Sequence, residues 1–305
     1  MYIFTDSPTS LNRLLSVNQQ WKKPITENFC SPDYQKLVTQ LLNTPLFTEI
    51  KTEIGWNSMI HINHSPISQY DILTKFAKSE GELPDGILCS AESGENFHGQ
   101  KNRKWETLIG NIHISIFLKP KITNIRMNRR FLISTVSAIL KTIDSLPDLN
   151  GKAMVKWPND IYIEDSKIGG ILTRCYSQNN IVRAVVLGIG LNVEATPKIR
   201  SDRFTKKTSC IRNFSPLVEL KTIFQKLINS LHTHYQLIKS NKDKHLYNFY
   251  CNRSLIIGRQ CAIYTEDESK AEFVGKVFGF GNDLELLLGN KSTPINNGRL
   301  EILDY

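Results

Sequence analysis

The chain lacks any run approaching the ~18 apolar residues that a membrane-spanning helix needs. It has no CxxC pair and no Cys/His cluster at zinc spacing. Its six cysteines (Cys30, Cys89, Cys175, Cys210, Cys251, Cys261) are scattered. Residues 1–25 hold no continuous apolar core of a secretory signal and little of the arginine of a mitochondrial presequence. These absences predict no membrane partner and free thiols in a reducing, cytoplasmic compartment. No helix-turn-helix signature, internal repeat or low-complexity tract is visible.

What is present is ordinary globular chemistry with a basic bias. The chain has 305 residues, 40% apolar and 22% charged, which suits roughly two domains. Lys and Arg number 38 against 29 Asp and Glu, a net charge of +9. Such an excess fits a solvated surface, or an anionic partner such as nucleic acid, an acidic protein or phosphates. No basic stripe interleaved with aromatics accompanies it, which argues against a nucleic-acid regulator.

Residues 1–50 read as an N-terminal extension packed on the main domain. Ile72, Leu73 and Phe76 share a helix face that ends at Gly81 and Pro84. Gly86–Glu92 reads as a strand, and Ile112, Ile114 and Ile116 alternate with His113, Ser115 and Phe117 in a second. The polar segment Ser93–Gly110 between them is too long for a hairpin turn, and such loops tend to be functional. A helix is expected over 128–146, then strands at Ala153–Lys156, Ile161–Ile163, Ile168–Cys175 and Val182–Val193. A helix over 215–240 would bury Leu217, Leu220, Phe224, Leu227, Ile228 and Leu231, and a short helix follows at 242–251. Near Arg253 the pattern turns all-β, with Leu255–Ile263, Glu272–Phe280, Leu284–Leu288 and Arg299–Leu303 separated by turn residues. The expected division is 1–50, 51–252 and 253–305.

The most informative stretch is Lys156-Trp157-Pro158-Asn159-Asp160-Ile161-Tyr162-Ile163, followed by Lys167-Ile168-Gly169-Gly170-Ile171-Leu172. Read plainly, it is a β-hairpin with Asn159-Asp160 and Glu164–Ser166 at its turns. That reading leaves two glycines inside a strand, where they usually mark close approach of a ligand or another backbone. It also leaves a lysine opening an apolar run, where an anionic partner is required.

This block resembles the signature of biotin protein ligases, the family that includes holocarboxylase synthetases. The phrasing is closest to the eukaryotic kind without a DNA-binding winged helix. The resemblance runs from about residue 54 to 305 and includes Ala91-Glu92, Arg103-Lys104-Trp105 and Gly188-Ile189-Gly190-Leu191-Asn192-Val193. It implies an α+β fold: a mixed sheet with helices, class II synthetase-like, plus a small C-terminal SH3-like β-barrel. It also implies a two-step reaction. Biotin and ATP with Mg²⁺ form biotinyl-5′-AMP, and the acyl group passes to one lysine of a biotin carboxyl carrier domain. Fixed cations and alignment carry such chemistry.

By the same resemblance, Lys167 is the main catalytic cation, contacting biotin's carboxylate and the adenylate phosphate, and Arg103 is a phosphate clamp. Lys156, Asn159, Asp160, Trp105 and Asn192 would contact ATP, with Asp160 on the metal side. Ser68, Gln69, Gly99, Gln100, Gly169, Gly170 and Leu172 would hold biotin. Taken alone, Gly188 and Gly190 could simply ease strand packing.

The family's loop reads Gly-Arg-Gly-Arg-x-Gly-x-x-Trp. Here it is Phe97-His98-Gly99-Gln100-Lys101-Asn102-Arg103-Lys104-Trp105. Phe97 and Asn102 replace glycines, Gln100 stands at an arginine position, and His98 replaces a cation with a group mostly neutral at pH 7. Upstream, Ser68 and Asp71 match the biotin-contacting run while Gln69 and Tyr70 do not. The other readings are a lipoate or octanoate ligase, against which the Lys156–Asp160 block argues, and a non-catalytic or altered-specificity binding protein, motivated by the changed loop.

Overall fold

The computed structural model describes residues 1–52, 55–79, 81–123, 127–265, 268–289 and 294–304. Ile54 and Tyr305, at the ends of the resembling stretch, lie outside the described residues. The elements begin with β1 (Tyr2–Thr5), α1 (Pro8–Leu11), α2 (Pro32–Leu41), β2 (Leu46–Glu49), β3 (Ser58–Ser65), α3 (Gln69–Lys78) and β4 (Ile87–Gly94). Then come β5 (Ile112–Leu118), β6 (Ile122–Thr123), α4 (Met127–Asp144), β7 (Ala153–Lys156), β8 (Asp160–Ile163), β9 (Ser166–Gln178) and β10 (Ile181–Leu191). The remainder is β11 (Lys207–Thr208), α5 (Leu220–Lys239), α6 (His245–Asn252), β12 (Gln260–Tyr264), β13 (Phe273–Phe280), β14 (Leu286–Leu288) and β15 (Arg299–Ile302).

A mixed sheet runs β2-β1-β3-β4-β5-β10-β9-β8-β7, with β11 beside β9 and β6 beside β10. Alternation along its strands divides the core in two. Ile3, Met59, Leu88, Ile112, Ile114 and Ile116 join the cluster that holds α4 and α5. Phe4, Ile60, Cys89, Phe117 and Val186 face the other way, toward Tyr34, Leu37 and Val38 of α2 and Ile72, Leu73 and Phe76 of α3. Helices therefore cover both faces. This is why β5 is buried along its whole length although its sequence alternates. Its polar positions, His113 and Ser115, line a cavity on the α3 side.

Residues 1–50 do more than pack on the main domain. β1 pairs in parallel with β3, Tyr2 opposite Ser58, and β2 pairs antiparallel with β1. Four-residue strands with distant partners leave no local periodicity to read.

The C-terminal β segment forms an antiparallel sheet in the order β14-β13-β12-β15. It begins at Gln260 rather than Leu255, because Leu255 N–H donates to Val155 O and Ile256 is drawn into the main core. The two sheets share that core. The Trp157 indole N–H also donates to Leu284 O, at 2.6 Å, which seats the β7–β8 turn against the small sheet.

One helix expectation fails at its edge. Helix α5 starts at Leu220, after Pro216, so Leu217 lies in the preceding turn and is 93% exposed. Val218 is buried instead. Leu217→Ser is therefore expected to change stability by less than about 0.5 kcal/mol. Phe224→Ala, one turn into α5 and fully buried, should cost about 3–5 kcal/mol in denaturant unfolding.

Candidate functional site

A cavity of about 170 Å³ opens on the α3 side of β8, β9 and β10. Its floor is made by missing side chains. Gly170 pairs with both Asp160 and Gly190, and Leu172 pairs with Gly188. A Cβ on Gly190 would collide with the Trp105 ring, and one on Gly188 would stand 3.0 Å from Tyr70. Glycine is required here because two aromatic rings lie against the strand backbone.

A β-bulge sets the chemistry beside this floor. The β8–β9 register shifts between Ile161, which pairs with Gly169, and Tyr162, which pairs with Lys167. The bulge absorbs Ile168 into the core and turns Lys167 to the same side as Gly170. Lys167 Nζ then lies 2.6 Å from Asp160 Oδ1, both side chains largely buried. The pair is anchored from behind, since Asn159 donates its amide to Ile171 O.

Most of the expected site residues meet here. Ser68, Gly99, Gln100, Arg103, Trp105, Asn159, Asp160, Lys167, Gly170, Leu172 and Asn192 all line the cavity. Asn192 lines it with a committed amide: its nitrogen donates to Ser209 O at 3.0 Å and its oxygen accepts from Asn111. Three others do not reach the wall. Gly169 faces Leu191 and Ile161, because strand alternation turns it away from Gly170. Gln69 is fully enclosed behind Ser68 and Tyr70, and among the described residues neither its amide oxygen nor its nitrogen has a partner. Lys156 runs under the 202–205 segment, donates to Phe204 O and sits 5.7 Å from the Tyr162 ring centre. Burial, partly offset by Asp160, pushes its ammonium down to about 8. It holds the wall in place rather than forming it.

The 97–105 loop arches over the floor, with Trp105 N–H donating to Phe97 O and Gly99 N–H to Arg103 O. Lys101 and Asn102 take left-handed backbone angles (φ 54° and 55°), the conformation that an asparagine tolerates well. The Trp105 indole N–H donates to His113 Nδ1 at 3.3 Å. Burial pushes His113 down to about 4, so it is neutral and free to accept.

His98 differs from the neutral expectation. Its Nε2 is 3.0 Å from both oxygens of Asp71, and its Nδ1 is 3.1 Å from Gly99 O. Both partners only accept, so both ring nitrogens must donate, which only the imidazolium can do. Burial would lower the His98 pKa, but the Gly99 carbonyl and the Asp71 carboxylate outweigh it and raise the pKa above the ordinary histidine value. The His98–Asp71 contact latches the loop to α3.

Sequence reading missed part of the wall. Tyr70, His113, Ser115, Arg200, Asp202 and Arg299 also line the cavity. The available signal was the cation-rich run Lys198, Arg200, Arg203, Lys206 and Lys207. Arg103 and Arg299 both line this wall; burial and then the Arg299 charge lower the Arg103 pKa, against the raising effect of Asp160, Glu268 and Asp202.

Geometry and charge define a loop-covered cleft whose lining carries more cationic than acidic side chains. Residues 72–192 match the biotin/lipoate A/B protein ligase family model. Among curated proteins, the bifunctional ligase/repressor BirA of Bacillus subtilis is 30% identical over 48% of this chain and 44% of its own length. The biotin--[acetyl-CoA-carboxylase] ligase of Paracoccus denitrificans is 31% identical over 32% of this chain and 41% of its own. This chain thus spans less than half the length of these relatives. A biotin protein ligase from Aquifex aeolicus, solved with biotin and ATP, superposes with a TM-score of 0.63 at 16% identity, covering 81% of this chain and 99% of that one. That likeness establishes the fold: a mixed sheet with helices, and a small C-terminal sheet that fits the SH3-like expectation. Residues 72–192 are thus similar to the biotin/lipoate A/B protein ligase domain.

Two outcomes follow from the geometry. Gly190→Ala should eject the Trp105 ring, shifting tryptophan emission to the red with little change in far-ultraviolet dichroism, while Gly279→Ala, with nothing within 4 Å among the described residues, should leave the emission in place. The His98 latch has a raised folded pKa, so its stabilisation is complete below the unfolded value of about 6.5 and is lost as pH rises through the folded value. Hydrogen exchange across 97–105 should accelerate over that rise, and His98→Gln should remove the pH dependence.

Proposed function

We propose that the protein is an ATP-dependent biotin protein ligase. The carrying observation is the Lys167–Asp160 pair, turned by a bulge onto a glycine floor under the 97–105 loop. In the first step a biotin carboxylate oxygen attacks the α-phosphorus of ATP. A P–O bond forms, the bond to the β-phosphate oxygen breaks, and its electron pair leaves with pyrophosphate. In the second, the ε-amine nitrogen of a carrier lysine attacks the acyl carbon. The acyl–oxygen bond breaks, AMP leaves and the amine loses a proton.

Lys167 is the cation nearest the floor and would neutralise the carboxylate and α-phosphate as they meet. Arg103 would clamp phosphate from the loop, beside Gly99 and Gln100. Ser68, Gly170 and Leu172 would bound biotin, with Gly169 allowing the close packing behind them. The enclosed, partnerless amide of Gln69 suits a ureido group reached by a small shift, since a buried unpaired amide is costly. Trp105, Asn159 and Asn192 belong to the nucleotide side, and Lys156 acts there through Phe204.

Mg²⁺ binding commonly uses one or two carboxylates plus substrate phosphates and water. Asp160, on the cavity wall, fits that role, and Asp202 lies on the same wall. The ion would supply charge neutralisation of the phosphates. Loop closure would shield the mixed anhydride from water.

The acceptor class in this proposal is a biotin carboxyl carrier domain, in keeping with the Paracoccus relative's name, which gives acetyl-CoA carboxylase as that protein's acceptor. The proposed division is 51–252 for the catalytic domain, with 1–50 completing its sheet and 253–305 closing the site. All six cysteines are free, and no described helix is long and apolar enough to cross a membrane. Both features support the cytoplasmic placement we propose.

Incubation with biotin, MgATP and a carrier domain should yield biotinylated lysine. Lys167→Ala should lower the rate about a hundredfold or more. Binding of biotin without incorporation would support a non-catalytic protein, and incorporation of octanoate or lipoate instead would support the other branch of the family model. Wild-type activity in Lys167→Ala would remove that lysine from the mechanism.

A further inference from the structure

The cavity differs from one end to the other across the sheet. Strands β8, β9, β10, β5 and β4 are neighbours, with β4 beyond β5. Asp160 of β8 pairs with Gly170 of β9, Gly170 with Gly190 of β10, and Gly190 with His113 of β5. Asp160 and Lys167 therefore stand at one end of this row and His113 at the other. Two strand spacings, about 10 Å, separate β9 from β5. The far end is aromatic. Tyr70 lies against Gly188, Trp105 against Gly190, and Phe97 beside His113. Burial pushes His113 down to about 4 and Tyr70 up to about 12, so both are neutral at pH 7. His98, also on this wall, faces the carboxylate of Asp71 at 3.0 Å.

Phe97 closes the aromatic end. Its ring is 6.1 Å from the His113 ring at an interplanar angle of 69°, an edge-to-face contact. It also lies against Gly94, the last residue of β4, where a Cβ would fall 2.5 Å from it. The side chain is half-buried and lines the cavity. The backbone around it is tied on three sides. Glu95 N–H donates to Ser65 O at 2.8 Å, the Asn96 amide donates to Pro66 O at 3.0 Å, and Trp105 N–H donates to Phe97 O at 2.9 Å. The loop of the resembling family has glycine where this chain has Phe97, so the wall is this chain's own.

We propose that Phe97 is the end-stop of the acyl pocket and sets the length of the acid that is activated. This rests on the ligase reading above. An acid with its carboxylate at Lys167 lies across β10 and meets Phe97 with its uncharged head. A longer acid must push the ring into Gly94 and His113 or draw its carboxylate back from Lys167. Close packing and the tied backbone oppose the first. The second misplaces the attacking oxygen, and a shift of about 1 Å costs on the order of a hundredfold in rate.

The experiment compares biotin with homobiotin, which has one more methylene in its side chain, on the full chain. Binding is read by calorimetry, and activation by acid-dependent exchange between ATP and labelled pyrophosphate. Wild-type protein should favour biotin by about tenfold or more in both readouts, the usual worth of one methylene in a fitted pocket. Phe97→Ala should bring the preference to within about threefold, and Phe97→Leu should fall between. A thermal melt confirms that each variant is folded. A preference unchanged in Phe97→Ala, with both acids weakened equally, would make Phe97 an anchor of the loop alone and overturn the proposal. Wild-type protein that takes both acids equally would overturn it as well. Biotin binding without exchange would defeat the ligase reading, while the ratio of binding constants still decides the role of Phe97. Wild-type protein that binds neither acid would overturn both.

Discussion

The site depends on a gap in the side-chain layer of a fully covered sheet. Gly170, Gly188 and Gly190 lie side by side on β9 and β10, on the face where neighbouring rows carry Phe117 and Val186. Each glycine costs about 0.5–1 kcal/mol relative to alanine. Burial of Trp105, Tyr70 and their neighbours over the gap returns about 1.5–3 kcal/mol per large side chain. The sheet therefore tolerates a recess at its centre. The bulge at Ile168 completes it, because an unbulged strand would send Lys167 and Gly170 to opposite sides.

Charge is then distributed around the recess so that little of it stands alone. Lys167 is paired with Asp160, His98 with Asp71, and Arg299 with Asp202 and Glu268. Paired groups are thereby held in fixed orientations around the recess. The loop, the 202–205 wall and the C-terminal sheet are tied to one another through Lys101, Phe204 and Arg299. The small sheet is thereby part of the site and not an appendage to it. Its seat is the β7–β8 turn, where Trp157 donates to Leu284.

Much of this was legible in residue order. The strands from Ala153 to Leu191, the helices around Phe76 and Val136, and the lysines at strand ends all follow from periodicity and turn chemistry. Most of the site residues named by the family resemblance line the cavity. What escaped has physical reasons. β1 and β2 are too short to show a pattern, and they pair with residues far along the chain. Leu217 had the right spacing for α5, but the helix starts after it. Lys156 and Gly169 sit in the signature block, yet alternation and the packing of Phe204 turn them from the cavity. His98 reads as a neutral substitution until Asp71 and Gly99 are seen to accept from both its nitrogens. Arg299 lies in a different sheet from Lys167, and only the packing of the two sheets brings them together.

The central claim is that the three floor glycines form the ligand's bed. Selective isotope labelling of glycine, followed by titration with biotin and observation of the backbone amides by NMR, tests it most directly. The account predicts that Gly170, Gly188 and Gly190 shift together and saturably, while Gly258 and Gly279, which have nothing within 4 Å of a notional side chain among the described residues, stay in place. Biotin binding that leaves the floor glycines unmoved would contradict it.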